Sequence, residues 1–486
     1  MKLKFSRKLR ILTFSLLATL AAIFCLYLYE TKDARQFEQL SQDLLYTELS
    51  GNTISLHYTL AYPENYGLSA DPILPSSFTD VDTRAQVTEW QRRLSCIDPQ
   101  KLDPQDRYAY LLFDRFLALT LEGADFTYYT DPLSPSSGMV SGLPVLLADY
   151  TFRTKKDVEN YLGILEQTGA YFDALIRYEQ EKSSAGLFMS DTSADNVIEQ
   201  CDSIMDPVLL SDGSHFLQQT FTERLDGLAS DEIITGEEKQ QYIDKNNLLL
   251  TTVMAPAYER VGDAFLVLKG TGTNPYGLCY YPEGKEYYTY LLAQTTGSSR
   301  IIPEIRRLLE KDYQKNFHAL RDLVKEHPGL LKLSPEDFSL SLNMQNSYSD
   351  HPEEPGDTDL PTKPAATSDI LCRLSEAILD DLQKQMKPDF PKLTCIPEAK
   401  AGQEHDGESN SVSCQIKKVS SSMEAYSSPA YYLTPPIDDL WHNTIYLNEP
   451  NITDDLTLYT TLAHEGYPGH LYQTVYSQSF LNQQNA

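Results

Sequence analysis

Two histidines, His464 and His470, flank a break that carries Pro468 and Gly469, and this break limits the folds open to the end of the chain. The stretch reads Thr460-Thr461-Leu462-Ala463-His464-Glu465-Gly466-Tyr467-Pro468-Gly469-His470-Leu471-Tyr472-Gln473. On a straight helix six residues rotate through about 600°, leaving the imidazoles about 120° apart in the wrong sense. Pro468 removes a main-chain donor and crowds the preceding turn, while Gly469 takes up backbone conformations that other residues avoid. The pattern therefore predicts a helix that bends between the histidines and swings the second ring toward the first. Two neutral imidazoles next to a carboxylate, here Glu465, form the donor set of a hydrolytic zinc centre. The imidazoles hold the ion, and the carboxylate takes a proton from water whose pKa the metal lowers. The common spacing, His-Glu-x-x-His, places both ligands on one helical face; here its last position is Pro468.

The rest of the chain reads as mainly helical. Hydrophobic spacing predicts helices over Ala34–Ser50, Thr83–Leu94 and Pro104–Leu121, the last started by Asp103. Thr130–Pro144, rich in Pro, Ser and Gly, is expected to be a structured loop. Lys155–Gln167 and Ala170–Lys182 read as a helical hairpin interrupted at Gly169. Further helices are expected over Asp195–Met205, His215–Leu228, Glu237–Leu268, Lys285–Gln294, Ile305–Glu326 and Thr367–Lys387. The Gly270-Thr271-Gly272 run follows a helix, not a strand, and so reads as a helix stop rather than a phosphate loop.

Short β-rich runs, 414–419, 430–433 and 443–447, come immediately before the histidine stretch. A sheet edge there would pair with an extended peptide through main-chain hydrogen bonds. Thr453 is the expected N-cap of the histidine helix, with Asp454 and Asp455 in its first turn. Tyr431 and Tyr432 are candidate donors to a developing oxyanion, with sheet packing as the other reading. Gln473 is expected to buttress the helix. Of the nine histidines, only His442, beside Trp441, joins the pair as a cleft candidate; His405 lies in a polar insertion at 400–413.

Lys2, Lys4, Arg7, Lys8 and Arg10 precede the largely apolar run 11–29. That length can span a bilayer as a signal anchor, with the basic segment 1–10 on the cytoplasmic side and the body, 35–486, outside; a cleaved signal peptide is the rival reading. A polar, proline-rich stretch marks a possible subdomain break at 347–366. The net charge of −29 disfavours nucleic-acid partners. The seven cysteines include no Cys-x-x-Cys; Cys395 with Cys414 is the most local disulfide candidate, and free thiols are the alternative. Gly-x-Ser-x-Gly is absent, which counts against a serine hydrolase.

In its order of motifs the chain resembles the DUF885 family. The match runs through Pro132-Leu133-Ser134-Pro135, Gly142-Leu143-Pro144, Asp157-Val158-Glu159-Asn160-Tyr161-Leu162, Gly284-Lys285-Glu286-Tyr287-Tyr288 and Pro429-Ala430-Tyr431-Tyr432 to the signature His-Glu-x-x-Pro-Gly-His-x-x-Gln. The resemblance implies a multi-helix, zincin-like metallopeptidase with a small β-sheet next to its metal-binding helix. It implies Zn2+ held by His464 and His470, Glu465 as general base, and a peptide substrate. The family pattern also has a Glu-Gly-Trp-Ala-like segment that supplies a third ligand. No such motif occurs in these 486 residues, so the sequence is expected to be a fragment, with an inactive copy or a ligand borrowed from elsewhere in the chain as alternatives. A non-catalytic cell-surface peptide-binding protein is the competing function.

Overall fold

A computed structural model of the chain describes residues 31–68, 71–78, 81–272, 276–332, 366–393, 412–419, 424 and 427–484. These residues are mainly helical with one small sheet. The expected anchor 11–29, the basic segment 1–10, His405 and the break at 347–366, apart from its last residue, lie outside them. Among the described residues no helix is long and apolar enough to cross a membrane.

From the N terminus, α1 (Lys32–Ser50), α2 (Thr53–Thr59), α3 (Val81–Ser95) and α4 (Pro104–Gly123) come first. Asp103 caps α4 as expected, accepting from the main-chain N–H groups of Gln105 and Asp106. α5 (Met139–Ala148) corrects the expected loop: Pro144 lies inside this helix. A proline there supplies no N–H to the carbonyl of residue 140. The buried Tyr258 hydroxyl donates to the Val140 carbonyl instead, at 2.8 Å.

α6 (Lys155–Ser184) is a second correction, because the expected hairpin is one continuous 30-residue helix. Gly169 costs about 1 kcal/mol relative to alanine in a helix interior. That is small against the burial of Tyr161, Ile164, Leu165, Phe172 and Leu175 along its length, at about 1.5–3 kcal/mol for each apolar side chain. α7 (Asp191–Ile204), α8 (Pro207–Asp212), α9 (Phe216–Ser230), α10 (Gly236–Leu249) and α11 (Ala255–Leu268) follow. A π-helical turn, Leu250–Met254, divides what reads in sequence as one helix. It ends one residue short of Pro256, where the missing N–H already interrupts the ladder. The remaining helices are α12 (Gly284–Thr296), α13 (Ile302–Glu326), α14 (Ala366–Met386), α15 (Asp455–Glu465) and α16 (His470–Gln484).

The chain divides into two units. One comprises Met1–Gly51, Ser77–Thr130 and Tyr276–Ser299, and its core joins Phe37 and Leu40 of α1, Val87, Trp90 and Leu94 of α3 and Leu117 of α4. The other comprises Asn52–Ser76, Asp131–Pro275 and Arg300–Ala486 and holds every candidate residue. Its sheet has the order β1-β3-β2, formed by β1 (Ser413–Lys418), β2 (Ala430–Leu433) and β3 (His442–Leu447). β1 runs parallel and β2 antiparallel to β3. Side chains alternate across a strand. Ile416, Tyr432, Ile445 and Leu447 therefore pack with Leu379, Leu382, Leu462 and Leu471 of α14, α15 and α16, while Lys417, Tyr431 and Tyr446 line a cavity.

Candidate metal centre

Asp454, not Thr453, caps α15, accepting from the Thr457 N–H at 2.8 Å. The Thr453 hydroxyl donates to the Asp454 carboxylate, also at 2.8 Å. α15 closes at Glu465, and Gly466 leaves helical geometry at φ −105°, ψ −96°. A Cβ added to Gly469 would overlap the His464 carbonyl, and one on Gly466 would strike the Leu379 side chain. These two close approaches let the chain double back over the end of α15. The new helix is tied to the break by main chain: Tyr472 donates to the Gly466 carbonyl at 3.2 Å and Gln473 to that of Gly469 at 3.0 Å.

The fold-back brings the imidazoles of His464 and His470 to 4.7 Å between ring centres, nearly perpendicular at 85°. Both side chains are exposed and Glu465 is buried. One ligand atom from each of the three lies within 4.8 Å of the others, the only such group of three or more among the described residues. Two imidazoles and one carboxylate in that space fit a borderline divalent ion such as zinc. Calcium and magnesium demand shells made mostly of oxygen.

The main-chain N–H of Tyr432, on edge strand β2, donates to Oε2 of Glu465 at 3.0 Å. The Tyr432 hydroxyl itself donates to Asn443 at 2.7 Å. The Tyr431 ring stacks on Tyr446, 4.9 Å between centres, on the sheet face away from α15. Strand alternation thus separates the two expected oxyanion donors, and the part of Tyr432 that meets the centre is its backbone. The Gln473 side chain is exposed, and its main-chain N–H ties it to the break. Cys414 is a free thiol, and Cys395, its expected partner, lies outside the described residues.

The cavity on the other face has a volume of about 1210 Å³, and none of His464, Glu465 and His470 lines it. Asp149 there accepts from Lys417 at 2.6 Å and from the Tyr446 hydroxyl at 2.5 Å. Burial, and then the Asp149 charge, push the Tyr446 phenol far above its ordinary range. His442, the cleft candidate, is exposed, and its Nδ1 lies 2.9 Å from Asp439, itself 3.7 Å from Arg153. The bond from Asp439 raises the His442 pKa against the opposing effect of burial. Burial works to raise the Asp439 pKa, but the bond and charge of His442, with Arg153, hold it below the usual carboxylate range. His57, stacked on Tyr150 at 3.6 Å, is kept neutral by burial and then by Arg153 and Arg224, which bring its pKa down to about 3. Asp439 could be found in the sequence by its three-residue spacing from His442. Asp149, Arg153 and Arg224 are far from both in sequence and carry no local signal.

In fold the chain is similar to a protein of Colwellia psychrerythraea described as a lipoprotein. Their TM-score is 0.66 at 16% identity, over 93% of this chain and 74% of that one. A protein of unknown function from Shewanella oneidensis, also described as a lipoprotein, matches at 14% identity and a TM-score of 0.45, over 92% and 72%. No curated protein matches the sequence. The sequence profile of DUF885, described as a bacterial protein of unknown function, matches residues 74–484. That span takes in the candidate centre and parts of both units, and the chain belongs to the DUF885 family.

Proposed function

We propose that this chain is a zincin-like, zinc-dependent peptide hydrolase, held at the outer side of the cell membrane by its N-terminal segment. The observation that carries the reading is the convergence of two exposed imidazoles and one buried carboxylate within 4.8 Å across a helix break. His464 and His470 would hold the ion, and when bound it would supply Lewis acidity, acidifying water and polarising a carbonyl. Glu465 would take a proton from water; the bond from the Tyr432 N–H to its Oε2, which holds the carboxylate beside the two rings, supports this role. Because Glu465 is the residue after the first ligand, its role is that of a base, as in His-Glu-x-x-His sites. The edge strand β2 runs beside it and would align an extended peptide.

The test uses the purified full chain, with zinc measured by competition with a chromophoric chelator and turnover measured on quenched fluorescent peptides. One equivalent of zinc, peptide cleavage, and loss of cleavage in Glu465→Gln support the reading. A chain that takes up no zinc overturns it and leaves peptide binding without chemistry.

A further inference from the structure

The structure assigns a second role to the sheet: we propose that the cavity on its far face binds a carboxylate group of the peptide substrate. This rests on the peptidase reading. The link between the two places is β2, whose adjacent residues serve both: Tyr431 forms the cavity wall while the Tyr432 backbone holds Glu465. A peptide lying across this strand reaches the metal centre with one part and the cavity with another.

The ligand class follows from charge. Arg153, Arg224, Lys417 and Lys418 line the cavity, against Asp149, Asp439 and Glu223, in a chain whose net charge is −29. Asp149 is already occupied by Lys417 and Tyr446, Asp439 by His442 and Arg153, and Lys418 by Glu449, while Glu223 is exposed to solvent. Arg224 has no carboxylate partner among the described residues. Its hydrogen bonds run to the main-chain carbonyls of Leu147, Tyr150 and Thr220, and its Nη2 is buried without an acceptor. A guanidinium compensated only by carbonyl dipoles and by the faces of Phe152 and Tyr161 leaves positive potential at the wall. That favours an anionic guest, and when His442 is protonated its ring N–H free of Asp439 adds a donor to receive it. Both a peptide's C terminus and an acidic side chain offer this carboxylate.

Calorimetric titration of the full-length Glu465→Gln chain in chelator tests the assignment, with zinc removed so that it cannot hold the probe. The probes are N-acetyl tetra-alanine as free acid and as amide, and acetyl-Ala-Glu-Ala-amide beside acetyl-Ala-Gln-Ala-amide. At least one acid is expected to bind about tenfold more tightly than its neutral twin. Preference for the free terminus assigns the cavity to chain ends, and preference for the glutamyl peptide assigns it to an acidic side chain. Arg224→Gln should reduce the preference below about threefold, and Arg153→Gln gives the same readout if Arg224→Gln does not fold. Equal binding of acid and neutral probes, or a preference untouched by folded variants at these positions, overturns the assignment. If zinc uptake and cleavage hold while the preference is absent, only the cavity assignment falls. If the preference survives in a chain that takes up no zinc, the carboxylate site stands and hydrolysis falls.

Discussion

Glu465 accepts the main-chain N–H of Tyr432 at 3.0 Å, so the carboxylate beside the two imidazoles is positioned by a sheet edge and not by its own helix alone. A bond from a backbone N–H survives a change of the Tyr432 side chain to any residue but proline. Tyr432→Phe should therefore leave turnover near wild type, although it removes the hydroxyl bond to Asn443.

Glu465→Gln separates a base from a ligand. A glutamine keeps an oxygen for Tyr432 but cannot take a proton, and general-base catalysis contributes about 10²–10⁴-fold. Cleavage should fall by that factor while zinc stoichiometry stays at one. Loss of the zinc together with the activity would make Glu465 a ligand.

Gly469 is the residue that lets the chain fold back, since any Cβ there meets the His464 carbonyl. Gly469→Ala should displace His470 and weaken zinc binding by roughly ten- to a hundredfold, the scale seen when the support of a ligand is lost. Chelator competition reads it, and circular dichroism should show the helices retained.

Tyr258 and Pro144 are coupled through the Val140 carbonyl. Tyr258→Phe leaves that buried acceptor without a partner and should cost about 1–3 kcal/mol in urea unfolding. In a Pro144→Ala background the new N–H can serve the carbonyl, and the same substitution should cost under about 1 kcal/mol. Equal costs in the two backgrounds would break the proposed link.

Glu179, fully buried in α6, has no hydrogen-bond partner among the described residues for either carboxylate oxygen. Burial raises its pKa from 4.5 to about 7, with Lys182 opposing and Asp131 assisting. The folded state therefore keeps the proton that the unfolded state releases. The contribution to stability is complete below pH 4.5 and is lost as pH rises to about 7. Glu179→Gln should remove this slope and stabilise the protein at pH 8 by roughly 1–3 kcal/mol. Urea melts at pH 5 and pH 8 measure it.

Much of the helical frame is local and was legible from spacing. α1, α3, α4 and α12 sit within two or three residues of their expected bounds because apolar periodicity and capping are decided within a few residues. Errors arose where a local breaker was overridden from afar. Pro144 is tolerated by a hydroxyl 114 residues later, and Gly169 by burial on both sides of it.

At the site, the sequence alone determined the three donor types, the necessity of a break between His464 and His470, and the nearby β-rich runs. Those follow from helix geometry and the special backbones of proline and glycine. Only the tertiary structure decided that the two rings meet at 4.7 Å, that β2 holds Glu465 by its backbone, and that Tyr431 turns to a different face from Tyr432. It alone gathers Asp149, Arg153 and Arg224 around the strands β1–β3 to form a cavity. The reason is physical: local rules fix how a segment folds, while long-range packing sets which distant side chains share one space.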